Sequence, residues 1–273
     1  MVRHRLHTFL SLPLLAIPAV AVADEPVMPP VGASRAVFPT MGPDGSASQI
    51  GAQLLIMNGD GGGDALKRLD VNGQFVSASG AGGYITVGAS ALDDEVSLGS
   101  LEVGALFRRA TGTSDVAMRA GIVLPTGTSN DTGFPMHLIS TAYSRPSDYL
   151  TGLPDSTSLR VAVTPSLHRG SLVARADIGL DMVVAGDGTE FFDSPFLHVD
   201  LGAGVSNAKG AALVELTTMS YLEEPDELIH IIAFTGELVA GKTTPYVTIS
   251  RPFTSGTEDI ELTNFAIGLR GQL

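Results

Sequence analysis

The sequence predicts an all-β protein: an antiparallel transmembrane up-and-down β-barrel of about twelve strands, following an N-terminal signal peptide. Three observations lead there. From Gln49 onward apolar residues recur with period two, and no helical period is sustained. Apolar faces stand opposite charged ones in runs of about nine to fourteen residues, long enough to cross a bilayer when tilted. The links between runs alternate short and long, as the turns and loops of outer-membrane barrels do.

Residues 1–23 read as a signal peptide: Arg3 and Arg5 give a basic start, Phe9 to Val22 is apolar, and Ala21-Val22-Ala23 puts small residues where a signal peptidase reads. Pro13 and Pro18 interrupt the apolar run, which is short for a spanning helix. Residues 24–48, rich in Pro, Gly and small side chains, read as an N-terminal periplasmic extension, and 49–273 as the barrel.

In order, the strands expected are 49–56, 66–77, 82–90, 97–109, 114–124, 157–168, 171–184, 195–205, 210–221, 228–240, 243–253 and 260–271. The clearest is 171–184. Leu172, Ala174, Ala176, Ile178, Leu180 and Met182 share one face, while Arg175, Asp177 and Asp181 share the other. Val116, Met118, Ala120, Ile122 and Leu124 oppose Arg119 and Gly121. Leu159, Val161 and Val163 oppose Arg160 and Thr164. Leu197, Val199, Leu201 and Ala203 oppose His198, Asp200 and Gly202. Phe265, Ile267 and Leu269 oppose Asn264, Gly268 and Arg270. Only 228–234 is apolar on both faces.

The even-numbered links are short, at Gly80, Thr111–Thr113, Arg169-Gly170, Asn207–Lys209 and Gly241-Lys242. The odd-numbered ones include the long stretches 125–156, 185–194 and 222–227 and carry most of the carboxylates, such as Asp93, Asp94, Asp187, Glu223 and Glu258. Arg108, Arg109, Arg169, Lys209 and Lys242 sit at the short turns. A soluble sandwich has no reason to sort length and charge by the parity of a connection.

Composition agrees. Mean hydropathy is +0.26 with only 16% charged residues, 32 glycines and no tryptophan, which suits strands facing lipid on one side and a crowded interior on the other. Of the 16 Lys and Arg, two lie in the signal, so the mature chain carries 14 against 29 Asp and Glu, a net −15. That disfavours nucleic acid as a partner. The chain has no cysteine, which excludes thiolate metal sites and cysteine nucleophiles. Aromatic residues make up only 6%; Phe75, Tyr84, Phe107, Phe196, Tyr221 and Phe253 fall near strand ends, where interface girdles are expected.

Gly236 to Thr243 has the spacing of a phosphate-binding P-loop, yet Pro245 follows at once and a strand continues, so a tight basic turn is the better reading. Asn58 to Asp64 (NGDGGGD) has oxygen donors for calcium but not the spacing of an EF-hand loop, and reads as a surface loop. No catalytic set is assigned: His137, His168, His198 and His230 are the mature histidines, and no G-x-S-x-G elbow occurs. No cofactor or metal is expected. The candidate functional residues are the inward-facing charges Arg119, Arg160, Arg175, Asp177, Asp181, His198, Asp200 and Glu215. They would either line a lumen that selects solutes or pair up and fill a narrow barrel.

Two stretches, Gly99–Arg109 (GSLEVGALFRR) and Arg119–Gly127 (RAGIVLPTG), together resemble the outer-membrane transporters associated with phenol meta-cleavage pathways. The sharp match is Leu124-Pro125-Thr126-Gly127, and Leu213–Tyr221, with Glu215, resembles a later strand of that family. The resemblance implies a channel-like barrel in the outer membrane. The expectation is therefore a non-enzymatic barrel, embedded in outer-membrane lipid, that admits small solutes, apolar ones included, by passive diffusion. A lipid-modifying barrel enzyme and a soluble periplasmic β-protein are the alternatives.

Overall fold

A computed structural model describes residues 36–59, 65–128, 136–186, 192, 194–222, 228–254 and 262–273. Residues 1–35, which hold the expected signal peptide and the first part of the expected extension, lie outside them. The strands are β1 (Gln49–Gly59), β2 (Leu66–Val76), β3 (Ala81–Leu92), β4 (Glu95–Leu98), β5 (Leu101–Thr111), β6 (Ser114–Leu124), β7 (Ser156–Arg169), β8 (Leu172–Gly186), β9 (Phe196–Asn207), β10 (Gly210–Tyr221), β11 (Leu228–Leu238), β12 (Thr243–Thr254) and β13 (Leu262–Gln272). Every pairing is antiparallel between neighbours, and β1 pairs with β13 from Gln49↔Gln272 to Gly59↔Leu262. The sheet is closed.

Thirteen strands make twelve staves, because β4 and β5 lie in line and both pair with β3. Glu102 faces Thr86 and Leu98 faces Ala89, so three residues, 99–101, oppose two on β3. One extra residue in a stave is a β-bulge, which breaks the ladder locally. The break is used: Ser100 turns its backbone N–H inward to Thr151 (2.7 Å), and its hydroxyl donates to the Leu153 carbonyl (2.8 Å). Thr126 and Gly127, within the Leu-Pro-Thr-Gly match, bind the same break: Thr126 Oγ1 accepts from Leu101 N and Ser100 Oγ from Gly127 N.

Alternation along each stave sends apolar side chains out. On β8, Leu172, Ile178 and Leu180 are 60%, 47% and 42% exposed while Arg175, Asp177 and Asp181 are buried. In water such a surface would be costly; in a bilayer it is the solvated face. Short turns join β2–β3, β5–β6, β7–β8, β9–β10 and β11–β12 at one end, where Leu273 N also bonds to Ser48 O (3.1 Å). The P-loop-like segment is one of these turns: β11 stops at Leu238, Gly241 takes φ +67° where a side chain would be strained, and β12 starts at Thr243 with no helix. Of the NGDGGGD segment, Asn58 and Gly59 end β1, and 60–64 lie outside the described residues.

The aromatic expectation needs a correction. Phe75, Phe107 and Phe253 face outward, but Tyr84 and Phe196 face in. Tyr84 shares its face with Thr86, and its hydroxyl donates to Glu102 Oε1 (2.7 Å). Proximity to a strand end did not decide the side; parity did.

Two segments of chain occupy the interior. Residues 36–48 run inside the wall, with Val37, Phe38, Thr40 and Met41 buried. From the opposite, long-loop end, the β6–β7 connection folds inward as helix α1 (Met136–Ser144) and a 3₁₀ turn (Pro146–Gly152). Inward glycines make the room. A Cβ on Gly202 would meet the Phe38 ring at 2.5 Å, and one on Gly88 the His137 ring at 2.6 Å.

Candidate functional site

All eight charged residues expected to point inward do so, and all are buried. Six of them share one network. Arg119 on β6 donates to Asp177 Oδ2 on β8 (2.5 Å), and Arg175 Nη2 reaches the same oxygen (3.4 Å). Arg160 on β7 binds Glu102 through Nη1 and Asp181 Oδ1 through Nε (3.1 Å). His198 lies between Asp181 Oδ2 (3.1 Å) and Asp177 Oδ1 (3.5 Å). Register explains the pairing: Arg160 stands directly across from Asp181 on the β7–β8 ladder.

The other two stand apart from that network. Asp200 faces Asp177 across β8–β9, a like-charge pair, and neither of its carboxylate oxygens has a hydrogen-bond partner among the described residues. Glu215 accepts from Thr40 N (3.0 Å), Thr40 Oγ1 (2.6 Å) and Thr235 Oγ1 (3.2 Å). It anchors the N-terminal segment, as does Glu237, whose Oε2 accepts from Val37 N (2.9 Å). Phe38 and Met41 add apolar contact with Val173 and Leu213.

The inner β6–β7 segment docks by charge. Asp148 lies 2.9 Å from Arg145 Nε, 3.5 Å from Arg160 Nη1 and 3.8 Å from Arg68 Nη2. Burial alone would raise its pKa, but Arg145, Arg160 and Arg68 together more than offset that and hold it below the usual carboxylate range. Burial, reinforced by Arg68, pushes the His137 imidazole down to about 3, so it is neutral at pH 7. Its Nδ1 pairs with Ser90 Oγ (2.8 Å), which also meets Ser140 Oγ (2.7 Å). Above α1, Leu150, Leu153, Val183, Phe196 and Met219 form an apolar cluster, with Tyr149 and Tyr221 against Phe196.

Several of these residues were missed from sequence. Arg68 and Asp70 alternate with Leu69 and Val71, and Glu102 falls between Leu101 and Val103, so period two applied there as well. Arg145 and Asp148 carried no such signal, because they lie in a connection without strand period.

Hydroxyl–imidazole pairs among the described residues include Ser90 with His137 and Thr218 Oγ1 with His230 Nδ1 (3.0 Å). Ser90 and His137 are both 1% exposed, buried where α1 meets β3. Their geometry serves to fasten the helix to β3.

No family model matches the chain, and no curated protein does. Solved structures do. The KdgM porin in complex with disordered oligogalacturonate aligns with a TM-score of 0.52 at 9% identity, over 82% of this chain and 99% of that one. The NanC porin aligns at 0.54 and 12% identity, over 82% and 100%. An outer membrane channel from Pseudomonas putida F1 aligns at 0.54 and 7% identity, over 90% and 99%. At such identities the likeness is one of fold: this chain is a closed twelve-stave antiparallel barrel of the architecture seen in outer-membrane channels.

Proposed function

We propose that the protein is an outer-membrane channel for the passive passage of small solutes, held closed in this state by its own inner segments. The observation that carries the reading is the division of the wall: an apolar outer face, and an inner face bearing buried charges on β2 and on every stave from β5 round to β11, Arg68 to Glu237. A barrel whose only task was to sit in the membrane would gain nothing from burying ion pairs, which stabilise no better than well-packed apolar residues. Twelve staves also enclose more space than their own side chains fill, and here two inner pieces of chain occupy it.

The lining favours polar and charged solutes over apolar ones, since an apolar molecule gains nothing among arginines and carboxylates. KdgM, described with oligogalacturonate, fits that preference. The sequence-based expectation included apolar solutes, and liposome uptake of a charged against an apolar solute distinguishes the two. Purified protein in planar bilayers tests the channel itself. The full chain should conduct little, and deletion of 36–44 should produce discrete conductance steps. A deletion variant that folds, shown by heat-modifiable gel mobility, yet neither conducts nor admits solute would end this reading.

A further inference from the structure

Between the N-terminal segment and the wall lies a cavity of about 40 Å³, lined by Asp44, Gln49, Asn72, Gln74, Arg145, Arg175 and Arg270 among others. Three guanidinium groups therefore face it against one carboxylate. Asp44 is already engaged, accepting from Ser46 N (2.8 Å) and Gln74 Nε2 (3.0 Å) with Arg175 Nη1 at 3.8 Å. Arg145 and Arg175 are both more than nine-tenths buried. Arg175 Nε has no hydrogen-bond partner, and Arg270 makes neither a hydrogen bond nor an ion pair within 4 Å among the described residues. A buried N–H left without an acceptor is costly, and three arginine forks around one polar space form an acceptor's site.

We propose that this cavity binds a small anion, an inorganic ion or the head of a small carboxylate, which ties the inner segments to the wall. One water needs ~10–15 Å³, so the space fits a halide or a carboxylate head and excludes a sugar. Each side of the cavity belongs to a different piece: Asp44 to the N-terminal segment, Arg145 to the α1 segment, and Arg175 and Arg270 to β8 and β13. An anion there bridges all three. The site stands whether or not the barrel conducts.

Bromide is the probe. Crystals of the full chain grown in sodium bromide should give an anomalous peak among Arg145, Arg175 and Arg270, and bromide should raise the temperature of the heat-modifiable transition relative to fluoride at equal ionic strength. Arg270→Gln, which removes a guanidinium with no other bond to lose, should weaken the bromide effect about tenfold. If that variant does not fold, Asp44→Asn serves instead and should strengthen the effect, because it removes the competing carboxylate. Absence of a peak and of any shift overturns the proposal. So does a peak unchanged by these substitutions, which would mark an adventitious ion only.

Discussion

Arg145 donates from Nη2 to the main-chain oxygen of Met41 at 2.9 Å, joining two inner segments that enter the barrel from opposite ends. Ser147 Oγ adds a second tie, to Thr40 O (3.1 Å). Each segment is therefore part of the other's docking surface. Displacing the N-terminal one should loosen α1, although the displaced residues and α1 belong to different pieces of chain. Gly202→Val tests this, because its side chain would occupy the place of the Phe38 ring. We expect faster amide exchange in 136–153 and new conductance, with the barrel intact by gel mobility. Gly236→Val, where nothing lies within 4 Å, is the control. Unchanged exchange in α1 would show that the two segments dock independently.

Arg160 carries the largest share of the inner charge network. It binds Glu102, Asp181 and the carbonyl of Ser147, and lies 3.5 Å from Asp148. Arg160→Met leaves Glu102 buried without its cation and Asp181 with only His198 beside it, a loss of ~3–5 kcal/mol. Arg108→Met removes an ion pair with Asp115 that is partly open to solvent and should cost at most ~1 kcal/mol. Urea unfolding in lipid vesicles compares the two. Equal costs would mean that Arg160 is not holding its carboxylates in the folded barrel.

The wall was legible because a barrel obeys one local rule. Alternation at Leu172–Met182 or Leu159–Val163 is written in adjacent residues, and four of the five short turns carry a positive-φ glycine: Gly80, Gly112, Gly170 and Gly241. The same rule placed Arg119, Asp177 and Glu215 on the inner face. It could not place residues 36–48 or α1 inside, since their positions depend on contacts between residues far apart in sequence, such as Thr40 with Glu215 or Arg145 with Met41. Glycine abundance, which composition alone explains as ordinary for a barrel, is a signal of this kind. At Gly202 and Gly88 it marks space kept for Phe38 and His137. The bulge at Gly99–Leu101 left a trace as well, because one extra residue flips the alternation and moves the outward positions from even, at Leu98, to odd, at Phe107.

The outward face gives a depth-dependent expectation. Leu180 is near the middle of β8 and Leu172 at its short-turn end, and both point away from the lumen. A lysine at mid-bilayer costs ~2–4 kcal/mol and one at the interface ~0–1 kcal/mol. Leu180→Lys should therefore destabilise the protein in vesicles several times more than Leu172→Lys. Equal costs would place this face against water or protein instead of hydrocarbon.

Acid should release the inner segment. His137 in its docked position titrates at about 3, against its ordinary 6.5 when undocked. Between those values the undocked form takes up a proton that the docked form refuses, so docking is fully stable above pH 6.5 and weakens as pH falls toward 3. Asp148 acts in the same direction at the acid end: held below the usual carboxylate range by Arg145, Arg160 and Arg68, it too favours docking until it is protonated. Protease cleavage within 136–153 should therefore rise between pH 7.5 and pH 4.5, with single-channel openings becoming more frequent over the same interval. His137→Gln keeps a polar side chain beside Ser90 but cannot titrate, so its cleavage should stay flat until Asp148 itself begins to protonate. If wild type and variant respond alike above pH 5, His137 is not the group that senses acid, and the control of docking lies with the carboxylates.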